Sequence, residues 1–134
     1  MISRRTTILG LLAVATGTSL AACTSPDTVG GDTLDAKGFS DLVAKPGVVV
    51  LDVRTPAEYA DGHLKDAMNL DVNAPEFGRQ VSALDKAATY AVYCRSGSRS
   101  ATALKLMKQT GIKEAYHLAG GIGSWQSAGY AVVR

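Results

Sequence analysis

The chain has 134 residues, 46% of them hydrophobic, which fits one domain with a real apolar core. Its 14 basic and 12 acidic residues give a formal charge of +2, and Arg4 and Arg5 precede the first acidic residue, Asp27. The rest of the chain is therefore balanced, and charge gives no reason to expect a nucleic-acid partner.

The N-terminus reads as a leader. Met1 to Arg5 is basic, and Ile8 to Ala22 is an apolar run of small and aliphatic residues. That run is shorter than the ~20 residues of a spanning helix, so residues 1–22 are expected to be a signal peptide. Leu20-Ala21-Ala22-Cys23 resembles the bacterial lipobox, in which the cysteine becomes the lipidated first residue of the mature protein; a plain secretory signal that contains a cysteine is the alternative. The expected location is extracytoplasmic, with membrane lipid as a partner through Cys23. Ser3-Arg4-Arg5-Thr6-Thr7-Ile8-Leu9 resembles a twin-arginine export signal, with Thr7 where that pattern has Phe, so twin-arginine and general secretory routes both stay open. Residues 23–32 form a lipidated Cys and a short polar tether, and residues 33–134 a single domain.

Within the domain, Asp35 caps a short helix whose Phe39, Leu42 and Val43 share a face, ending before Pro46-Gly47. Val48 to Leu51 is a continuous apolar run, as a strand buried on both faces requires. Thr55-Pro56-Ala57-Glu58 supplies an N-cap, a proline at the first helical position and Glu at the third, and that helix stops at Gly62. Ala67 to Leu70 reads as a short strand, and Pro75 to Leu84 as a helix burying Phe77, Val81 and Leu84. Tyr90 to Tyr93 is the next strand. A helix from Arg99 to Gln109 follows, with Ala103, Leu106 and Met107 inward and Gly111 as its stop. Ala115 to Leu118 is another strand, and Gly121 to Ala128 a last helix around Trp125. Such alternation implies an α/β domain with a mainly parallel central sheet and helices on both faces.

Cys23 and Cys94 are the only cysteines. If Cys23 carries lipid, Cys94 is a lone thiol in an oxidising compartment, a liability unless it is used. It opens the stretch Cys94-Arg95-Ser96-Gly97-Ser98-Arg99-Ser100, between a buried strand and an amphipathic helix. Ligands collect at the carboxyl ends of parallel strands. A Gly- and Ser-containing loop there turns backbone N–H groups toward one point, the helix N-terminus adds partial positive charge, and Arg95 and Arg99 add full charges. All three favour thiolate over thiol and set Cys94 apart from an inert core cysteine.

These residues resemble the rhodanese family over about Leu34 to Val133. The stretch from Cys94 to Ser100 is similar to a rhodanese active-site loop. Asp52-Val53-Arg54-Thr55-Pro56-Ala57-Glu58-Tyr59, with Gly62-His63-Leu64 and Ala67-Met68-Asn69, resembles the family's first signature. Leu118-Ala119-Gly120-Gly121-Ile122-Gly123-Ser124-Trp125, with Gly129, resembles its closing one. The resemblance implies a rhodanese-like fold and a sulfurtransferase. Cys94 would take sulfur from a thiosulfate-like donor as a persulfide and pass it to cyanide, a thiol or a protein acceptor, with no metal or other cofactor. Arg95 would meet the anionic donor, and Ser96, Gly97 and Ser98 would supply the loop. Arg99 would either brace the loop or touch substrate. Asp52 and Arg54 would buttress the loop, Glu58 would pair with Arg54, His63 would be a structural turn residue, and Trp125 core packing. His63 and His117 offer no zinc pattern. Two rival readings are a non-catalytic persulfide carrier and a cysteine phosphatase. The latter resemble Cys-x5-Arg, whereas four residues separate Cys94 from Arg99 here. Mercaptopyruvate enzymes resemble Cys-Gly at the loop start, where this chain has Arg95.

Overall fold

The computed structural model describes residues 32–134. The expected signal peptide, Cys23 and all but the last residue of the expected tether lie outside the described residues. The elements run in chain order β1 Thr33–Leu34, α1 Ala36–Val43, β2 Val49–Asp52, α2 Pro56–Asp61, β3 Met68–Asn69, α3 Phe77–Ser82, β4 Thr89–Tyr93, α4 Ser98–Gln109, β5 Glu114–Leu118 and α5 Gly121–Ser127. The strands form one five-stranded sheet in the order β1-β5-β4-β2-β3. Every pairing in it is parallel, a stricter arrangement than the mainly parallel sheet expected.

Strand alternation builds two apolar layers, because successive side chains point to opposite faces. Leu51, Tyr90, Val92 and Cys94 join Phe77 and Val81 of α3 and Ala103, Leu104 and Met107 of α4. Val50, Ala91 and Tyr93 join Phe39 and Leu42 of α1 and Ile122 and Trp125 of α5. Helices thus cover both faces, and β4 is buried in the middle of the sheet.

Local chemistry sets the helix ends. The Asp35 carboxylate accepts from Gly38 N–H at 2.7 Å to start α1. Thr55 and Glu58 form a reciprocal capping box at α2, with Pro56 at its first turn. Several boundaries differ from the sequence reading. Strand β3 shrinks to two residues, and α3 begins at Phe77 without a side-chain cap. In α4 Leu104, rather than the half-buried Leu106, completes the inward stripe with Ala103 and Met107. β1, unforeseen in the sequence, pairs Thr33 and Leu34 with His117 and Leu118.

At the carboxyl ends of β2 and β4, Asp52 lies opposite Tyr93 in register. Asp52 is 0% and Arg54 5% exposed. Arg54 Nη2 donates to Asp52 Oδ2 at 2.7 Å and to the Gly62 carbonyl at 2.6 Å. Tyr93 hydroxyl donates to Asp52 Oδ2 at 2.6 Å while accepting from Leu64 N–H at 3.0 Å. Asn69 Nδ2 donates to the carbonyls of Asp52 and Arg54. Burial works against the Arg54 cation, but bonding to Asp52 outweighs it and raises the guanidinium pKa. Among the described residues the pair makes no hydrogen bond to residues 94–100, so any buttressing of the loop by Asp52 and Arg54 is indirect. Its support reaches the loop through β4, whose last residue precedes Cys94.

Because the pair is buried, removing one partner strands a charge. Asp52→Ala is expected to destabilise the fold by about 3–5 kcal/mol, measured as a lower urea midpoint. Asp52→Leu combined with Arg54→Met should recover most of that loss, since no charge then stays buried. A single-variant loss below ~1 kcal/mol would mean that Arg54 finds another anion or water.

Candidate active site

Cys94 continues the alternation of β4, so its side chain enters the layer shared with α3 and α4, at 0% exposure. The chain then reverses into α4 through Gly97, whose φ of 102° lies in the left-handed region that favours glycine. This turn brings Gly97 N–H to 3.0 Å from Cys94 Sγ. One helical turn on, the buried Ser100 places its Oγ 3.5 Å from the sulfur. Burial pushes the Cys94 thiol up, but the Ser100 hydroxyl and the N–H groups of Ser100, Gly97 and Ser96 outweigh it and bring the thiol below its ordinary value. The donors on the sulfur are therefore hydroxyl and backbone N–H groups, not guanidinium groups.

The two arginines separate into different roles. Arg95 is exposed beside Ser96 and Ser98 and makes no hydrogen bond or ion pair among the described residues. Arg99 grips Glu58, with Nη1 to Oε2 and Nη2 to Oε1 both at 2.8 Å. Its planar fork makes this a bidentate pair. Glu58 was expected to pair with Arg54; that guanidinium is bonded to Asp52 and the Gly62 carbonyl, and Arg99 takes Glu58 instead. Arg99 holds the Glu58 carboxyl down at about 2, helped by Thr55, so the pair stays charged at any ordinary pH. Arg99 thereby clamps the first turn of α4 to α2, the contact that a bracing role requires.

The closing glycine motif lies directly beneath the loop. Ile122 N–H donates to the Cys94 carbonyl at 2.9 Å. A Cβ on Gly121, whose φ is +61°, would lie 2.4 Å from the Arg95 carbonyl carbon and 2.5 Å from the Cys94 oxygen. Only a residue without a side chain permits this approach. Gly97 has more room, since its Cβ would meet Gly120 N and Leu118 O at 3.4 Å, and its positive φ is what favours glycine there.

Two polar residues near the sulfur were given no role by the sequence reading, which held Ser100 only as the end of the loop and His117 only as lacking a zinc pattern. Ser100 Oγ is 3.0 Å from His117 Nδ1, and His117 Nε2 is 3.0 Å from Thr33 Oγ1. His117 faces Val92 across β4 and β5, on the same side of the sheet as Cys94. Strand parity was the one signal for it. Burial lowers the His117 pKa, so the ring is neutral near pH 7. The remaining motif residues are structural. His63 Nδ1 lies 2.8 Å from the Tyr59 carbonyl, with its ring stacked on Tyr59, and Trp125 Nε1 donates to the Ala131 carbonyl. A hollow of about 230 Å³ adjoins the site supports Arg54, Glu58 and Ile122, while two wider hollows of about 570 and 580 Å³ are lined by no residue of the 94–100 loop.

The chain is similar to known proteins over most of the described domain. The chain is 34% identical over 101 residues to a protein named sulfurtransferase from Allochromatium vinosum, covering 75% of this chain and 92% of that one. It is 33% identical over 97 residues to a tRNA uridine(34) hydroxylase of Anaplasma phagocytophilum, covering 69% of this chain but only 35% of the hydroxylase. The chain spans between about a third and about a half of the length of several curated relatives that it matches. Among solved structures, a rhodanese-related protein from Thermoplasma volcanium superposes with a TM-score of 0.68 at 31% identity, over 77% of this chain and 98% of that one. The model of the rhodanese-like domain matches residues 35–128, from the α1 cap through Cys94 and the paired glycines to the end of α5, and the chain belongs to the rhodanese-like family.

Proposed function

We propose that the protein is a sulfurtransferase that moves a sulfane sulfur through a persulfide on Cys94. The observation that carries this reading is the convergence of Gly97 N–H and the Ser100 hydroxyl on a buried sulfur whose acidity is raised. The thiolate attacks the outer sulfur of a donor such as thiosulfate; the S–S bond to sulfonate breaks and sulfite leaves with the electron pair. The product, Cys94–S–S⁻, carries one negative charge, which the same N–H groups are suited to hold. Cyanide or a thiol then attacks the outer sulfur, and the Cys94 thiolate returns. The exposed Arg95 stands at the loop rim, where it attracts a dianion.

A cysteine phosphatase is disfavoured on two counts. The position six after the cysteine is Ser100 rather than Arg, and Arg99 is occupied by Glu58. A carrier module without turnover of its own is the remaining rival. The membrane-anchored, extracytoplasmic location is also proposed, on the strength of the lipobox-like Leu20-Ala21-Ala22-Cys23.

Three outcomes are expected. The full chain, kept in detergent and mixed with thiosulfate, should gain about 32 Da on the tryptic peptide 87–95 that contains Cys94, as a thiolate nucleophile requires. Cyanide should remove that mass as thiocyanate with repeated turnover, and Cys94→Ser should abolish both steps. Loading without turnover would identify the carrier, and no loading from any persulfide donor would reject sulfur transfer. Arg95→Ala should raise the thiosulfate KM about fivefold with little change in kcat, matching an exposed charge contact of about 1 kcal/mol, and the effect should fade in high salt. An unchanged KM would remove Arg95 from donor binding. Finally, Cys23→Ala should release the protein from the membrane fraction; wild-type protein found free with an unmodified Cys23 would refute the anchor.

A further inference from the structure

A continuous hydrogen-bond chain leads from the buried sulfur to the edge of the sheet. It runs from Cys94 Sγ to Ser100 Oγ at 3.5 Å, on to His117 Nδ1 at 3.0 Å, and from His117 Nε2 to Thr33 Oγ1 at 3.0 Å. Cys94 is fully buried, whereas His117 and Thr33 are half-buried. The strands fix the ring at both ends. Thr33 pairs in register with His117, and His117 N–H donates to the Asp32 carbonyl at 2.9 Å. The hydroxyl of Ser100 has a second acceptor in the Gly97 carbonyl at 3.1 Å, so something must decide which way its single proton points.

We propose that His117 is a positioning residue for Cys94, setting the direction of the Ser100 hydroxyl through its Nδ1. The inference rests on Cys94 being the reactive thiol, not on the identity of the donor. A neutral imidazole carries one N–H, so the chain has two self-consistent directions. With Cys94 as a thiol, S–H donates to Ser100 Oγ, Ser100 donates to Nδ1, and Nε2–H donates to Thr33. With Cys94 as thiolate, all three bonds reverse: Thr33 donates to Nε2, Nδ1–H donates to Ser100 Oγ, and Ser100 donates to the sulfur anion.

Passing from the first state to the second moves the thiol proton to Ser100, the Ser100 proton to Nδ1, the Nε2 proton to Thr33 and the Thr33 proton to solvent. One proton leaves, one negative charge stays on sulfur, and the ring changes tautomer without becoming charged. The same direction serves the persulfide anion. The titratable and charged groups around the ring are Cys94, reached through Ser100, and Asp32, whose carboxylate is ion-paired with Lys108 of α4 and acts to raise the His117 pKa. Arg99, next to Ser100, is held by Glu58.

The rate at which iodoacetamide alkylates Cys94 in the full chain, read on the 87–95 peptide as a function of pH, tests this. His117→Gln keeps a polar group at the Thr33 end but loses the donor at the Nδ1 position; His117→Asn keeps a donor there and loses the Thr33 end. His117→Gln should raise the midpoint by about one pH unit, the tenfold fall in thiolate that losing a typical hydrogen bond produces. His117→Asn should stay close to wild type. Ser100→Ala should shift the midpoint in the same direction, and adding His117→Gln to it should shift it no further.

If the Gln variant does not fold by circular dichroism, His117→Ala makes the same deletion of the donor. An unchanged midpoint in His117→Gln, an equal shift in His117→Asn, or additive shifts in the double variant would each overturn the proposal. Alkylation needs no sulfur donor. A flat profile therefore refutes the role of His117 without touching sulfur transfer, and absent persulfide would leave that role standing.

Discussion

Cys94 is fully buried, yet its surroundings bring the thiol pKa below its ordinary value. Burying an anion removes the water that stabilises it, so fixed donors must replace that water before ionisation is favourable. The 94–100 loop supplies them from its own backbone and from Ser100. Everything else near the site serves to keep those donors still. β4 delivers the sulfur to the rim of the sheet, and Gly97 turns the chain back over it. The Arg99–Glu58 fork fixes the first turn of α4 against α2, and the paired glycines let α5 press against the loop from below. A flexible loop would lose the benefit, because donors that must first reorganise stabilise an anion less than donors already in place.

The Asp52–Arg54–Tyr93 cluster acts one step further out. It ties the ends of β2 and β4 to the Gly62–Leu64 segment, which in turn pairs with the C-terminal strap through reciprocal His63 and Val133 bonds. Tyr93 is held neutral, with its pKa pushed up by burial and by Asp52, so it stays a donor to the carboxylate. Cys94 therefore leaves a strand whose last residue is pinned on three sides. The precision of the loop is inherited from this rim rather than from contacts between the ion pair and the loop itself.

Much of this was legible in the sequence where the determinants are local. The apolar runs of β2 and β4, the Thr55–Glu58 capping box and the Asp35 cap are short-range patterns with one structural reading each. β1 was not legible, since two residues are too few to show a period, and pairing with β5 alone makes Thr33–Leu34 a strand. Leu104 and Leu106 flank the Ala103–Met107 stripe on opposite sides, and only the position of the sheet decides between them. The site loop was found from its own residue types, but its partners were not. Glu58 and Arg99 are joined across 41 positions, and His117 approaches Ser100 from a neighbouring strand. Such pairs are created by the register of the sheet, which no local spacing records. The arginines stood out in the sequence because of their charge, yet the donors that reach the sulfur come from the uncharged members of the loop.

The close approach at Gly121 also constrains how the sequence can change. α5 lies against the loop with Ile122 N–H on the Cys94 carbonyl, so a side chain at position 121 would meet the Cys94 and Arg95 carbonyls and something would have to shift. The atoms in its way belong to the same loop whose N–H groups surround the sulfur. A residue with no side chain of its own is thereby tied to the acidity of the thiol, and the tolerance of the site to mutation is set from beneath it.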